Sequence, residues 1–447
     1  MPNHFQVAYI PIGVPTFHLE SAQDQFDKSV EMLSQLTKDC ICPSKMLLTI
    51  EDLTSFLDTI QPNLIILQNV TFANAAYASE VLHHFSCPVL LWTLREPVID
   101  GGRLRLNSLT GAYSVGNTLM AFGNDKFEYL FGSPEEKNIQ NQIRAIIRAA
   151  KVKHLLTSLR MASIGHTPQG FGFGRALDSE ILHSFGVTLE SIEARELINK
   201  AKQYTNEECT EYLQEAQDKM VGLSDIPQKN VLDFARLYKA YADYVTEHKI
   251  GAISSRCWPD FFTEYGTPVC SVLAMLNERL IAASCESDVY GALSMYIGTQ
   301  LTGTPTFFGD PVSLDEQENT ITFWHCGTAA CSLVRKDTGA TVGVHPNRKI
   351  GPVMDFGCKK CSEVTVFRIG RLPNGSFRFF VMPGEVLDKP KQFCGTSVVV
   401  KTRNPAKDIV CNTVKNGWEP HFIVIYGDVQ SELKALGNML NIEVDLY

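Results

Sequence analysis

Short apolar runs alternate with amphipathic helical patterns along residues 5–311 of this 447-residue chain. Residues 64–67 and 88–92 are apolar throughout and predict buried strands, whereas residues 21–36 repeat apolar side chains at helical spacing. Strands that alternate with helices build doubly wound sheets of parallel strands. The alternation therefore predicts α/β domains of the Rossmann-like type.

The pattern changes after residue 311, where short β-type runs are separated by turns that contain glycine and proline. Such runs are typical of an antiparallel sheet or barrel. We therefore expect two doubly wound α/β domains at residues 1–155 and 156–311, followed by a β-rich, barrel-like C-terminal domain at residues 312–447.

The net charge of the chain argues against nucleic acid and anionic membranes as binding partners. The chain has 40 basic and 49 acidic residues and a net charge of −9, so no basic field attracts nucleic acid or an anionic membrane. The sequence has no run of about 18 apolar residues, and its N-terminus lacks the segments of a signal peptide. We expect a cytoplasmic protein whose 13 cysteines are mostly reduced.

Two carboxylates, Glu286 and Asp310, bracket a predicted strand–helix–strand unit. Residues 280–283 predict a strand that ends before Glu286, residues 293–301 predict a helix, and residues 307–308 predict a strand that ends near Asp310. If the strands are parallel neighbours, both carboxylates emerge at the sheet edge where α/β proteins bind ligands. Paired acidic groups there suit a divalent cation or acid–base catalysis. Taken singly, each would be an ordinary cap or turn residue.

Two histidines are candidates for the same site. His421 lies at the entrance of the last apolar strand; beside two carboxylates it would complete an oxygen, oxygen, nitrogen set that suits Mn²⁺, and otherwise it is structural. His325 ends a predicted strand, where it would hydrogen-bond a substrate or serve in a turn. The other candidate substrate-binding residues are Arg95, Arg103, Arg256, Trp258 and Trp418.

Two loops have further candidate roles. Arg95 and Arg103 follow the strand at residues 88–92, where a loop can contact substrate or a neighbouring subunit, or simply be solvated. Residues 165–174 form a glycine-rich loop with neither the Rossmann nor the P-loop glycine spacing. We expect a closely packed loop near the active cleft there rather than a nucleotide site.

Residues 286–304, 308–310 and 420–440 resemble the L-fucose isomerase family, which is related to L-arabinose isomerase. In organisation the resemblance covers most of the chain. The chain departs from the family in being shorter, in the Pro-His-Phe context of His421, and in lacking an arginine after Gly13. These differences affect the expected substrate more than the expected metal site.

The resemblance implies a metal-dependent aldose–ketose isomerase. By it, Glu286, Asp310 and His421 bind Mn²⁺ or a similar cation, and Glu286 and Asp310 are the catalytic carboxylates. The reaction would pass through a cis-enediol, although a hydride shift and the choice of base stay open. The resemblance also implies a homo-oligomer, a trimer or hexamer, whose clefts neighbouring subunits complete.

The implied substrate is a hexose or a deoxy or modified sugar. One candidate is sulfoquinovose, converted to 6-deoxy-6-sulfofructose, with Arg95, Arg103 or Arg256 holding its anionic end. L-fucose or a D-arabinose-type sugar is the rival. A non-catalytic sugar-binding protein and a metal lyase acting through an enediolate are the alternatives from other classes.

Overall fold

The computed structural model describes residues 4–447. The chain forms two compact units: the first comprises residues 1–155 and 431–441, and the second comprises residues 156–430 and 442–447. The division into three domains stays a prediction. Within the described residues, no helix has the length and hydrophobicity that a bilayer span requires.

The first unit contains a five-stranded sheet in which all strands are parallel. Its strands are β1 (Val7–Ile12), β2 (Cys40–Ile41), β3 (Leu64–Asn69), β4 (Val89–Thr93) and β5 (Glu128–Phe131). Its helices are α1 (Leu19–Leu36), α2 (Ile50–Leu57), α3 (Ala75–His84), α4 (Ser108–Ala121) and α5 (Lys137–Leu156). The strand order is β2-β1-β3-β4-β5. Strands β1, β3 and β4 are buried along their whole length, which explains their apolar sequences.

Residues 46–50 have a mostly apolar sequence that favours a short strand, but they form none. Only Leu47 forms an isolated bridge there, to Ile12. The Thr49 side chain accepts a hydrogen bond from the amide of Asp52 (3.1 Å) and so caps α2, which commits the chain to a helix.

The second unit begins with a four-stranded parallel sheet. The strands in this part of the chain are β6 (Arg160–Ile164), β7 (Thr188–Ile192), β8 (Met220–Val221), β9 (Ala252–Ser255) and β10 (Ala282–Cys285). The helices are α6 (Asp178–Phe185), α7 (Ala194–Gln203), α8 (Thr210–Lys219), α9 (Gln228–His248), α10 (Cys270–Glu278) and α11 (Val289–Thr302). The sheet order is β10-β9-β6-β7, so β10 lies at one edge.

The rest of the second unit is a closed, mainly antiparallel barrel. The remaining strands are β11 (Phe307–Asp315), β12 (Thr320–His325), β13 (Ala340–Gly343), β14 (Val353–Met354), β15 (Cys361–Arg371), β16 (Phe377–Val386), β17 (Thr396–Thr402), β18 (Phe422–Ile425) and β19 (Glu443–Leu446). The last helix of this unit is α12 (Ala406–Lys415), whereas α13 (Gln430–Leu440) belongs, from residue 431 onward, to the first unit. Strands run in the order β15-β18-β11-β12-β17-β16, and β15 pairs with β16 to close the barrel. Strand β19 extends it in parallel to β16, while β13, β14 and β8 form a small separate sheet.

The placement of β11 corrects one expectation. Strand β11 is not a parallel neighbour of β10; it pairs antiparallel with β12 and β18 in the barrel. The turn after β11 explains the difference, because Asp315 accepts hydrogen bonds from the amides of Gln317 (2.8 Å) and Glu318 (3.0 Å) and folds the chain back as a hairpin. Asp310 therefore reaches the site from the barrel.

Candidate active site

The barrel places Asp310 between two segments that carry histidines. Strand β11 lies between β18 and β12, with His421 immediately before β18 and His325 at the end of β12. The pairing of these strands places His421 beside Asp310 on one side, and on the other side Asp310 pairs with Trp324, the residue before His325. Three segments that are distant in sequence thus bring polar side chains to the same end of the neighbouring strands.

Glu286 reaches this point from the parallel sheet. It follows β10 directly, and Glu286 and Ser287 have φ values of 60° and 54°, a left-handed backbone that non-glycine residues rarely adopt. The Ser287 hydroxyl donates to the carbonyl of Gly165 at 3.3 Å and fastens this turn to the end of β6. Backbone strain of this kind is typical of functional sites.

Glu286, His325 and His421 form a compact donor set, and Asp310 lies next to His421. Nε2 of His421 is 3.1 Å from Oε2 of Glu286 and 3.4 Å from Oδ1 of Asp310. One ligand atom each of Glu286, His325 and His421 lies within 4.8 Å of the others. Both histidines are buried, whereas the Asp310 side chain is 31% exposed. Carboxylate oxygens and imidazole nitrogens together suit Mn²⁺ and similar divalent cations, so the residues fit such an ion.

Asp288, which is paired with Arg368, orients the His421 ring through its Nδ1 atom. Nδ1 of His421 lies 2.9 Å from Oδ2 of Asp288, which leaves Nε2 facing Glu286. Asp288 also caps α11 through the amide of Gly291 (2.9 Å). Arg368 contacts both Asp288 oxygens at 2.5 and 3.1 Å, and both side chains are fully buried. A carboxylate that holds the far nitrogen of a histidine is a common support of metal ligands.

The environment separates the pKa values of the site. Burial raises the pKa of Asp310 to about 6. Burial also opposes ionisation of Glu286, but the hydrogen bond from His421 and the nearby histidine charges bring the pKa of Glu286 below its usual value. Burial lowers the pKa of His325 to about 4. Burial acts in the same direction on His421, but hydrogen bonds to Asp288 and Glu286 outweigh it and raise its pKa to about 9. The two catalytic candidates therefore differ in basicity, as an acid–base pair requires.

Aromatic rings enclose the donor set. The ring centroids of Phe308 and Phe173 lie 4.6 and 5.3 Å from that of His421. Phe173 belongs to the glycine-rich loop, where a Cβ on Gly174 would lie 2.8 Å from Cα of Asp288. The loop therefore packs against the site as expected, and glycine permits the close approach.

Comparison with known proteins identifies the family. Residues 344–447 match the family described as L-fucose isomerase, C-terminal domain. The chain is 68% identical over 445 residues to a sulfoquinovose isomerase of Clostridium sp. (strain MSTE9), with 100% of both chains covered. It is 39% identical over 445 residues to that of Priestia aryabhattai (99% of each chain) and 36% identical over 441 residues to that of Alkalicoccus urumqiensis (98% of each).

The chain belongs to the sulfoquinovose isomerase family. The predicted resemblance to L-fucose isomerases is thereby confirmed, and the chain is an aldose–ketose isomerase. The alternative of a non-catalytic sugar-binding protein is set aside.

Two predicted substrate-binding residues of this isomerase lie beside the site. A hydrogen bond from the Trp258 side chain contributes to the lowered pKa of Glu286, and the Trp258 ring contacts that of Phe171 at 6.1 Å. Nε of Arg256 donates to the carbonyl of Trp258 (3.0 Å) and pairs with Asp260 (2.9 Å). The positive charge of Arg256 is therefore already matched by a carboxylate.

The remaining predicted contacts have other partners. In the first unit, Arg95 pairs with Glu136 at 2.7 Å and Arg103 donates to the carbonyl of Thr16 at 2.7 Å. In the barrel, the Trp418 indole donates to the Tyr447 hydroxyl (2.8 Å). Substrate roles for Arg95, Arg103 and Trp418 stay predictions.

Sequence reasoning missed Asp288, Arg368 and Phe173. Asp288 has the signal of a helix cap, since it directly precedes α11. Arg368 also leaves a signal, because it is a lone charge between apolar residues of β15, and such a charge needs a buried partner. No comparable signal marks Phe173.

Proposed function

We propose that this isomerase converts sulfoquinovose to 6-deoxy-6-sulfofructose in a reaction that depends on a divalent cation such as Mn²⁺. The observation that carries the proposal is the convergence of Glu286, Asp310 and Nε2 of His421 on one point. The names of relatives that are 36–68% identical over nearly the whole chain support the choice of sugar.

Glu286, Asp310 and His421 are the residues that would hold the cation, because Nε2 of His421 lies close to both carboxylates and Asp288 fixes His421 from its other side. When bound, such a cation polarises the sugar carbonyl and acidifies the adjacent C–H bond. His325, whose buried ring is neutral at neutral pH because its pKa is about 4, would hydrogen-bond a sugar oxygen.

The two carboxylates divide the proton transfers. Glu286, with its lowered pKa, suits removal of the proton from C2, while the C1 carbonyl oxygen takes up a proton to give a cis-enediol. Asp310, with a pKa of about 6, suits proton donation to C1, while O2 loses its proton and becomes the C2 carbonyl oxygen. Phe173 and Phe308 would keep bulk water away from the enediol.

The test is turnover of sulfoquinovose by chelator-treated enzyme with and without added Mn²⁺, with the product identified by NMR. We expect turnover only with the cation, and deuterium at C1 of the product when the reaction runs in D₂O. Turnover of L-fucose or D-arabinose but not sulfoquinovose would refute the substrate, and product without deuterium would favour a hydride shift. A cytoplasmic location and a trimer or hexamer complete the proposal, since the family resemblance implies the assembly.

A further inference from the structure

The turn between β13 and β14 is built around a buried histidine. Nδ1 of His345 accepts hydrogen bonds from the amides of Asn347 (3.2 Å) and Arg348 (3.3 Å). The His345 amide donates to the carbonyl of Ile350 at 2.8 Å. The His345 ring is only 5% exposed and contacts the Phe262 ring edge-on at 5.0 Å. These bonds preorganise the turn and fix where the exposed Arg348 side chain starts.

The Arg348 guanidinium lies over two aromatic rings. Its Cζ is 5.6 Å from the ring centroid of Trp258 and 5.9 Å from that of Phe262, within the range of cation–π attraction. Among the ion pairs formed by residues 4–447, none involves Arg348, whereas Arg256 nearby is paired with Asp260. Arg348 thus holds an uncompensated positive charge in a defined place.

Trp258 connects this charge with the reaction centre. Its side chain lies close enough to Glu286 to help lower the pKa of that carboxyl, and its ring contacts that of Phe171, whose ring centroid lies 5.4 Å from that of Phe173. Phe173 in turn contacts His421 at 5.3 Å. The same indole therefore neighbours both the catalytic carboxylate and the free guanidinium.

We propose that Arg348 binds the sulfonate of the substrate and determines the preference for an anionic hexose. This inference rests on the proposed function, which places C1 and C2 of the sugar at Glu286. The sulfonate on C6 is at the other end of the carbon chain, so it needs a cation near the reaction centre but outside it. A guanidinium meets the oxygens of such an anion with two parallel hydrogen bonds, and the rings of Trp258 and Phe262 hold the Arg348 guanidinium near the site.

The test compares sulfoquinovose with quinovose, the same sugar without the sulfonate, in Arg348→Met, Arg348→Lys and Lys349→Asn variants. Lys349→Asn removes one positive charge from the same turn and is the matched control; asparagine tolerates the φ of 59° at that position. For Arg348→Met we expect the KM for sulfoquinovose to rise at least 30-fold, with kcat within threefold of wild type and quinovose turnover unchanged. Arg348→Lys should recover part of the loss, and Lys349→Asn should change KM less than threefold.

Three results would overturn the assignment. The first is an unchanged KM for sulfoquinovose in Arg348→Met, the second is an equal loss for both sugars, and the third is an equal effect of Lys349→Asn. The wild-type enzyme separates this failure from that of the proposed function. If wild type does not turn over sulfoquinovose, the proposed function fails and this inference with it. If it does and Arg348→Met matches it, only the assignment of Arg348 fails.

Discussion

Replacing Arg368 by methionine tests whether the buried Arg368–Asp288 ion pair, which positions His421, is needed for Mn²⁺ affinity. Arg368 and Asp288 are both fully buried and form a two-point ion pair. Removing one partner of such a pair leaves an uncompensated charge and costs about 3–5 kcal/mol of stability. A domain stability of about 5–15 kcal/mol tolerates that loss. Because Asp288 also positions Nδ1 of His421, we expect Mn²⁺ affinity to fall by about 10–100-fold.

The measurements are thermal unfolding of the metal-free protein and Mn²⁺ binding followed by electron paramagnetic resonance. Arg371→Met is the matched control, because Arg371 lies on the same strand and makes a two-point pair with Glu180 (3.0 and 2.7 Å) that is partly exposed. We expect that control to cost less than about 1 kcal/mol and to leave Mn²⁺ affinity unchanged.

A double variant separates stability from metal binding. In Asp288→Asn with Arg368→Met the buried charges leave together, and asparagine still caps α11. We expect most of the stability to return, but Mn²⁺ binding to stay weak because a neutral amide is a poorer acceptor for Nδ1–H of His421. Wild-type Mn²⁺ affinity in a folded Arg368→Met protein would refute the reasoning.

Other predictions follow from the same site. Glu286→Gln should lower kcat by about 10²–10⁴-fold with the fold retained by circular dichroism; activity near wild type would exclude Glu286 as the base. His325→Asn should raise the KM for the sugar and leave Mn²⁺ affinity unchanged by titration; weaker Mn²⁺ binding would make His325 a ligand. Mn²⁺ at 100 times its Kd should stabilise the protein by about 2.7 kcal/mol, and a chelator should reverse the shift in Tm. In the metal-free protein the pKa of His421 is raised from 6.5 to about 9. The protonated His421 therefore contributes about 3 kcal/mol to the free energy of unfolding below pH 6.5, and this stabilisation is lost as the pH rises through 9. A Tm independent of pH in this window, or a pH dependence of Tm that survives in His421→Gln, would contradict this.

The parts of the fold that sequence predicted are those where one physical signal dominates. Strands β3 and β4 are buried on both faces, so the first four residues of each are apolar. Strands β2 and β5 were missed: β2 has only two residues, and β5 is at the sheet edge and is only partly buried, so its sequence has no such run. The hairpin that moves β11 into the barrel depends on a turn in residues 315–319, and reading that turn would have separated β11 from β10.

The site was predictable in its chemistry but not in its support. Glu286, Asp310 and His421 each lie at or next to an apolar run, and their residue types and positions predict a divalent cation or acid–base catalysis. As a charged residue within an apolar strand, Arg368 predicts a buried acidic partner. Among 49 acidic residues, however, nothing in the sequence selects Asp288, which lies 80 positions away. The contact of Asp288 with His421 spans 133 positions. Pairings at such separations are set by barrel register, because a shift of one residue along β15 would turn Arg368 to the opposite face and leave Asp288 without its cation. The register of the barrel, more than the identity of the ligands, therefore decides whether this chain can orient His421 for catalysis.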